Sequence, residues 1–251
     1  MEIPLMMDTT SLAAGWAVVI LGAALQAATG LGGGLVMVPL LALVDPMLVP
    51  GPLILSALSL NSLMVYRGRH EVAFGSLWPI IIGMVVGAGA AWPLLSYMEG
   101  PETQLIFGLM VLAAVGISVC GWSPRVTGRS MVIAGVVSAF MGTTAAIGGP
   151  ILALLYQRCS GPEMRATLAG LFFVGSLIIL VILGERGRLG LPEFAAALLL
   201  IPGWLAGYWL AGPIARRLDA GHTRAVVLII AGGSSLWLVA RGVRAILDGM
   251  G

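Results

Sequence analysis

Apolar residues run through this chain in ten blocks, at about 12–29, 35–44, 51–66, 74–95, 103–121, 131–146, 150–159, 164–184, 192–214 and 223–243. The short stretches between them hold most of the charged residues. One helical membrane crossing needs about 20 predominantly apolar residues. The second and seventh blocks are too short for that, and each follows a break: Gly30-Leu31-Gly32-Gly33-Gly34 in one case, Ala145-Ala146-Ile147-Gly148-Gly149-Pro150 in the other. The first break interrupts residues 12–44, which are too many for one crossing and too few for two full ones. Each short block therefore pairs with its predecessor as a hairpin or a broken crossing. Within a bilayer, irregular backbone survives only where protein buries it or where it lines a wet cavity. A break also leaves the first N–H groups of the next half-helix unpaired and pointing into the gap, which is how helices bind anions. Pro150 suits a first helical turn, where its missing N–H is no loss.

The two halves of the pattern repeat. At an offset of 115 residues, Gly33-Gly34 falls on Gly148-Gly149, Thr29 on Thr144 and Asn61 on Ser176. At an offset of 120, Gly83, Gly87 and Pro93 fall on Gly203, Gly207 and Pro213. The fold expected is an all-α polytopic membrane protein of two tandem repeats, residues 1–122 and 123–251. Each repeat has a glycine-broken helix or hairpin followed by three transmembrane helices, as in many transporters. Five elements per half would invert the second repeat. With the Arg67/Arg69 turn placed inside, inversion puts Arg67, Arg69, Arg125, Arg129, Arg158, Arg165, Arg216, Arg217 and Arg224 on the cytoplasmic side, nine of the 13 arginines, against eight for parallel repeats. Positive loops favour the cytoplasm, so the inverted arrangement is preferred. Gly83/Gly87 and Gly203/Gly207 read as small-residue packing faces. Trp16, Trp78, Trp92, Trp122 and Trp237 lie near block ends, as interfacial anchors do. Trp204 and Trp209 lie deeper, where they either pack or line a cavity.

Composition agrees. The 251 residues are 59% apolar and 10% charged, with a mean hydropathy of +1.04. Soluble domains carry about 25% charge. The net charge of +2 is spread singly over loops and gives no basis for nucleic-acid binding. All 13 basic residues are arginine, which excludes a Schiff-base lysine. Cys120 and Cys159 have no CxxC spacing and read as two unpaired thiols. The N-terminus carries Glu2 and Asp8 and no basic stretch, so no cleaved signal peptide is expected.

No Asp, Glu, Arg or His lies at the centre of any apolar block. Intramembrane carboxylates mark many proton and cation pathways. No metal-ligand spacing occurs, and neither GxSxG nor an intramembrane histidine base accompanies the serines. What remains inside is neutral and polar. The candidate substrate-binding residues are Gly32, Gly33, Gly34, Gly148 and Gly149 for backbone donors, with Gln26, Thr29, Asn61, Thr143, Thr144 and Gln157 for side-chain donors. Arg158 and Arg165, flanking the seventh block, would draw anions to an entrance. Facing half-helix N-termini favour an anion modestly, about 0.3–1 kcal/mol each at a surface and up to ~2 when partly buried.

These motifs resemble those of the sulfite exporter TauE/SafE family of membrane permeases. The carrying residues are Thr29-Gly30-Leu31-Gly32-Gly33-Gly34-Leu35-Val36-Met37-Val38-Pro39-Leu40 and Gly148-Gly149-Pro150-Ile151-Leu152-Ala153-Leu154. The second motif departs from the first, with Ala145-Ala146-Ile147 where another glycine is expected. The resemblance implies transport of small sulfur-containing oxyanions, such as sulfite or organosulfonates, across a bacterial inner membrane. It implies no enzymatic activity and no cofactor. The expected partners are a small anion and the lipid bilayer, and a homo-oligomer is left open. A passive anion channel, an intramembrane enzyme and a structural membrane subunit are the alternatives.

Overall fold

The computed structural model describes residues 9–30, 33–95, 98, 102–120, 124–217 and 220–248. Among them there are eleven α-helices and no strand. In chain order the helices are α1 (Thr9–Thr29), α2 (Gly33–Val44), α3 (Gly51–Gly68), α4 (Leu77–Ala90), α5 (Trp92–Leu95), α6 (Glu102–Val119), α7 (Gly128–Ala145), α8 (Gly149–Tyr156), α9 (Gly161–Glu185), α10 (Leu191–Arg217) and α11 (Ala220–Asp248). All ten apolar blocks become helical. The block at 74–95 starts with a 3-10 turn at Phe74–Ser76 and is interrupted at Ala91, giving α4 and the short α5. Pro93 accounts for the interruption, since it lacks an N–H and its ring crowds the carbonyl four residues earlier. Six stretches among the described residues are long and apolar enough to cross a bilayer: Thr10–Thr29, Leu77–Leu95, Glu102–Val119, Gly161–Glu185, Leu191–Gly212 and Val227–Leu247.

Both breaks fold the chain back. Gly22 of α1 lies against Met37 of α2, and Gly15 faces Leu41 and Leu48, so α2 returns antiparallel along α1. After α7 the chain reverses likewise, and the Ser138 hydroxyl donates to the Gly148 carbonyl (2.9 Å). Among the described residues each reversal holds a left-handed one, Gly30 (φ 75°) and Ala146 (φ 56°). Left-handed residues commonly end helices because they return N–H groups to orphaned carbonyls. Here Gly30 N donates to Gln26 O (2.7 Å) and Ala146 N to Gly142 O (2.8 Å).

Neighbouring residues fix the helix directions. Trp16 Nε1 donates to Leu199 O (2.7 Å), Val19 lies against Gly203 and Ala23 against Gly207, so α1 and α10 run side by side in the same direction. Likewise α4 and α7 run together, with Gly83 on Val132 and Gly87 on Val136. The pair α3 and α9 is antiparallel, with Gly68 on Ala166 and Gly51 against Leu189, just past α9. The pair α6 and α11 is antiparallel too, with Gly108 on Val239 and Gly242 on Leu105.

Lipid supplies no hydrophobic drive between helices, so packing rests on close approach at small residues. A Cβ at Gly207 would stand 2.5 Å from Ile20 O and 2.6 Å from the Ala23 Cβ. Any side chain there forces α1 and α10 apart, and overpacking of this kind costs about 1–3 kcal/mol. The buried apolar residues form two groups, one including Met37, Leu41, Phe107 and Trp204, the other Ile80, Leu152, Leu168 and Leu171. Exposed Ile82, Val85 and Val86 on α4, and Ile229, Leu236 and Trp237 on α11, form an apolar exterior.

Candidate functional site

The two breaks meet. A Cβ on Gly34 would lie 2.8 Å from the Ala146 carbonyl oxygen and 3.8 Å from Ile147 Cα, so the start of α2 rests directly on the turn between α7 and α8. Only glycine permits this contact. Beside it lies a cavity of about 100 Å³, walled by both breaks and by α1, α3, α7 and α9. A single water needs roughly 10–15 Å³ by this kind of measure. The cavity therefore has room for several waters or one small oxyanion.

Its polar wall is made of donors. Gly33, Gly34, Gly149 and Pro150 place the first turns of α2 and α8 on the cavity. Gly148 caps α8 with no side-chain hydrogen bond, so the leading N–H groups of α8 are not taken by a capping side chain. From α3 and α9 come Asn61 and Ser176, 2% and 8% exposed. Gln26 Nε2 donates to Asn61 Oδ1 (3.0 Å), which leaves the Asn61 amide N–H groups without a partner among the described residues. The Ser176 hydroxyl makes no hydrogen bond among the described residues either. Buried donors of this kind need a partner, and the space they share is the cavity. Among the described residues no carboxylate, histidine, lysine or arginine lines it. The remaining wall is apolar and includes Leu53, Ile54, Phe172, Ile179 and Trp204. Trp204 is held by a bond from its Nε1 to the Ser56 Oγ (2.9 Å).

Of the residues expected from the sequence, the fold gathers Gln26, Gly33, Gly34, Asn61, Gly148 and Gly149 around this cavity. Gly32 lies outside the described residues, as does Trp122. Three threonines are not part of the wall. Thr29 donates to Leu25 O (2.7 Å), Thr143 to Ala139 O (2.7 Å) and Thr144 to Phe140 O (2.9 Å), each hydroxyl turned back on its own helix. That back-bonding is a common alternative for threonine in a helix, and the sequence repeat carries no information about it. Gln157 and Arg158 are exposed at the end of α8. Arg165 is half-buried, with its Cα and Cγ packed over Gly30, which itself lines the cavity. Ser176 and Ser138 were not among the expected site residues. The signal for Ser176 was its position opposite Asn61 in the repeat, while Ser138 had none. Trp209, in contrast to Trp204, lies outside, 63% exposed with Arg67 over its ring at 4.8 Å.

Residues 15–238 match the family described as Sulfite exporter TauE/SafE. No curated protein and no solved structure shows significant similarity to the chain. The match spans most of the sequence and includes both breaks, so the chain belongs to the sulfite exporter TauE/SafE family, membrane transporters of sulfur-containing anions.

Proposed function

We propose that this member of the family carries a small sulfur-containing oxyanion, sulfite or a short organosulfonate, bound in the central cavity between the two breaks. The observation that carries the reading is one cavity walled by two half-helix starts and by the unpartnered donors of Asn61 and Ser176, with no formal charge among the described residues that line it. Helix N-termini and N–H donors favour negative charge, and hydrogen bonds to an anion are stronger than neutral ones. Without a buried cation the anion is held modestly, and a carrier must also release it. The apolar remainder of the wall suits a short aliphatic tail.

The halves 1–122 and 123–251 act, in this reading, as inverted repeats rocking about the site. The packing supports it: α1 lies on α10 as α4 lies on α7, while α3 pairs with α9 and α6 with α11, each corresponding pair reversed in direction. Arg165 beside Gly30 and the exposed Arg158 would gather anions at the entrance, on the cytoplasmic face of a bacterial inner membrane.

The test is uptake of sulfite and of a short organosulfonate into liposomes containing the purified protein, with and without a pH gradient. Saturable uptake is expected, and its absence with intact protein would refute the reading. Gly34→Val puts a branched side chain against the Ala146 carbonyl and should abolish flux in a folded protein. Full flux by that variant would show that the junction of the breaks is not the site.

A further inference from the structure

We propose that the route from the central site to the face away from Arg67 and Arg69 passes through a second cavity, and that Leu53, Ile54, Ile179 and Leu183 form the plug between the two. This rests on the transporter reading above. The second cavity, about 390 Å³, lies where the starts of α3, α6 and α10 meet the end of α9. Its wall includes Pro52, Thr103, Gln104, Leu183, Arg188 and Glu193. Arg67 and Arg69 stand at the other end of α3, so this cavity belongs to the opposite face.

The two cavities share a pair of helices in consecutive register. On α3, Pro52 lines the second cavity and Leu53 and Ile54 line the central one. On α9, Ile179 lines the central cavity and Leu183 the second. Four residues of helix rise about 6 Å, so roughly one turn of wall separates the spaces. Leu53, Ile54, Ile179 and Leu183 are 3, 5, 7 and 0% exposed, so the layer is packed and dry. An apolar constriction gates by excluding water, because a hydrated ion cannot enter it without losing its shell.

The walls beyond the plug are different in kind. Thr103 and Gln104 sit in the first turn of α6, Arg188 comes from the α9–α10 connection and Glu193 from the first turn of α10. Arg188 donates to the carbonyls of Leu95 and Met98, tying that connection to the end of α5. Arg186 donates to Trp92 O (3.0 Å) and lies over the Trp92 ring at 4.0 Å. The far end of α9 is thus fastened to α5, and the start of α3 packs on the same connection, with Gly51 against Leu189 and the Arg188 carbonyl. Opening toward that face then requires the α3–α9 seam to part at these four side chains.

Thiol accessibility tests this without any knowledge of the substrate. In a Cys120→Ser/Cys159→Ser background, Gln104→Cys reports the second cavity and Ala57→Cys the central one. A membrane-impermeant, negatively charged methanethiosulfonate is applied from the face away from Arg67 and Arg69. Gln104→Cys should react readily and Ala57→Cys at least about tenfold more slowly, behind the dry layer. Adding Leu53→Ala should raise the Ala57→Cys rate by about tenfold or more and leave Gln104→Cys unchanged, which also shows that the trimmed protein is folded. Equal rates at the two reporters with the plug intact would overturn the proposal, and so would a rate at Ala57→Cys that trimming does not raise. Either result together with saturable sulfonate uptake would sink the route alone. The expected labelling without any uptake would sink the transport reading alone.

Discussion

Replacing Ser176 by alanine should weaken anion binding and leave the fold intact. The hydroxyl is in the cavity wall, on a residue 8% exposed, and has no hydrogen-bond partner among the described residues. Its removal therefore breaks no bond within the protein, and stability should stay within about 0.5 kcal/mol of the parent. With the anion bound, the same hydroxyl gives one hydrogen bond to a charged oxygen, a bond of about 1.5–3 kcal/mol. At 1.36 kcal/mol per decade, KM for a short alkyl sulfonate should rise roughly 10- to 150-fold. A sulfonate is the right probe because its charge does not change over the working pH range. The assay is the concentration dependence of uptake into liposomes, run beside a thermal melt of each purified variant. Thr143→Val is the control. That hydroxyl is fully buried and bonded to Ala139 O on its own helix, so its KM should stay within about twofold. A Ser176→Ala protein with the parent's KM would refute the placement of the anion against α9. A large fall in its melting temperature would refute the absence of a structural partner.

Three further outcomes follow. Arg165→Gln should lower kcat/KM a few-fold at low ionic strength, with the difference closing near 0.15 M salt, where screening sets in over about 8 Å; a salt-independent effect would count against steering. Ala146→Gly should raise the melting temperature, since a left-handed alanine costs roughly 1–2 kcal/mol and glycine returns only about 0.5–1 of that through the unfolded chain; an unchanged or lower melting temperature would mean the turn is not strained. At neutral pH a maleimide should modify the exposed Cys120 well before Cys159, whose thiol is pushed up by burial and by Glu163 beside it. The Cys159 rate should climb with pH above the ordinary thiol range, because only the thiolate reacts. Equal rates at pH 7 would contradict that placement.

Much of this architecture is legible in the sequence because the bilayer imposes it. Apolar length sets where helices lie, and the structure keeps all ten blocks within a few residues. The glycine breaks were legible for the same reason, since irregular backbone in lipid needs an explanation. Whether each break made a hairpin or a kinked crossing was not, because that depends on contacts such as Gly22 on Met37 that no local pattern encodes. The side chains of the site divide on similar lines. Asn61 reaches the cavity while Thr29 and Thr144 do not, although the repeat marks all three equally. The hydroxyls of Thr29 and Thr144, in the last turns of α1 and α7, bond their own backbone, whereas the Asn61 side chain meets Gln26 of a neighbouring helix. Which polar side chains face the cavity was thus not legible in the sequence.

The unequal breaks make the same point about function. The first carries glycine at its left-handed residue, Gly30, where the φ of 75° suits it. The second carries Ala146 in the same kind of conformation, where a glycine would relieve strain. Gly34 presses on the carbonyl of Ala146 rather than on its side chain, so the contact between the breaks would tolerate either residue there. The alanine therefore does not arise from packing against Gly34. What it changes is the ease with which the α7–α8 turn moves, since a Cβ narrows the backbone conformations open to that residue and glycine widens them. A carrier whose halves rock about a fixed site needs one wall of that site to hold its shape while the other shifts. In the proposed carrier the alanine at φ 56° would give the α7–α8 turn, against which Gly34 rests, that holding part.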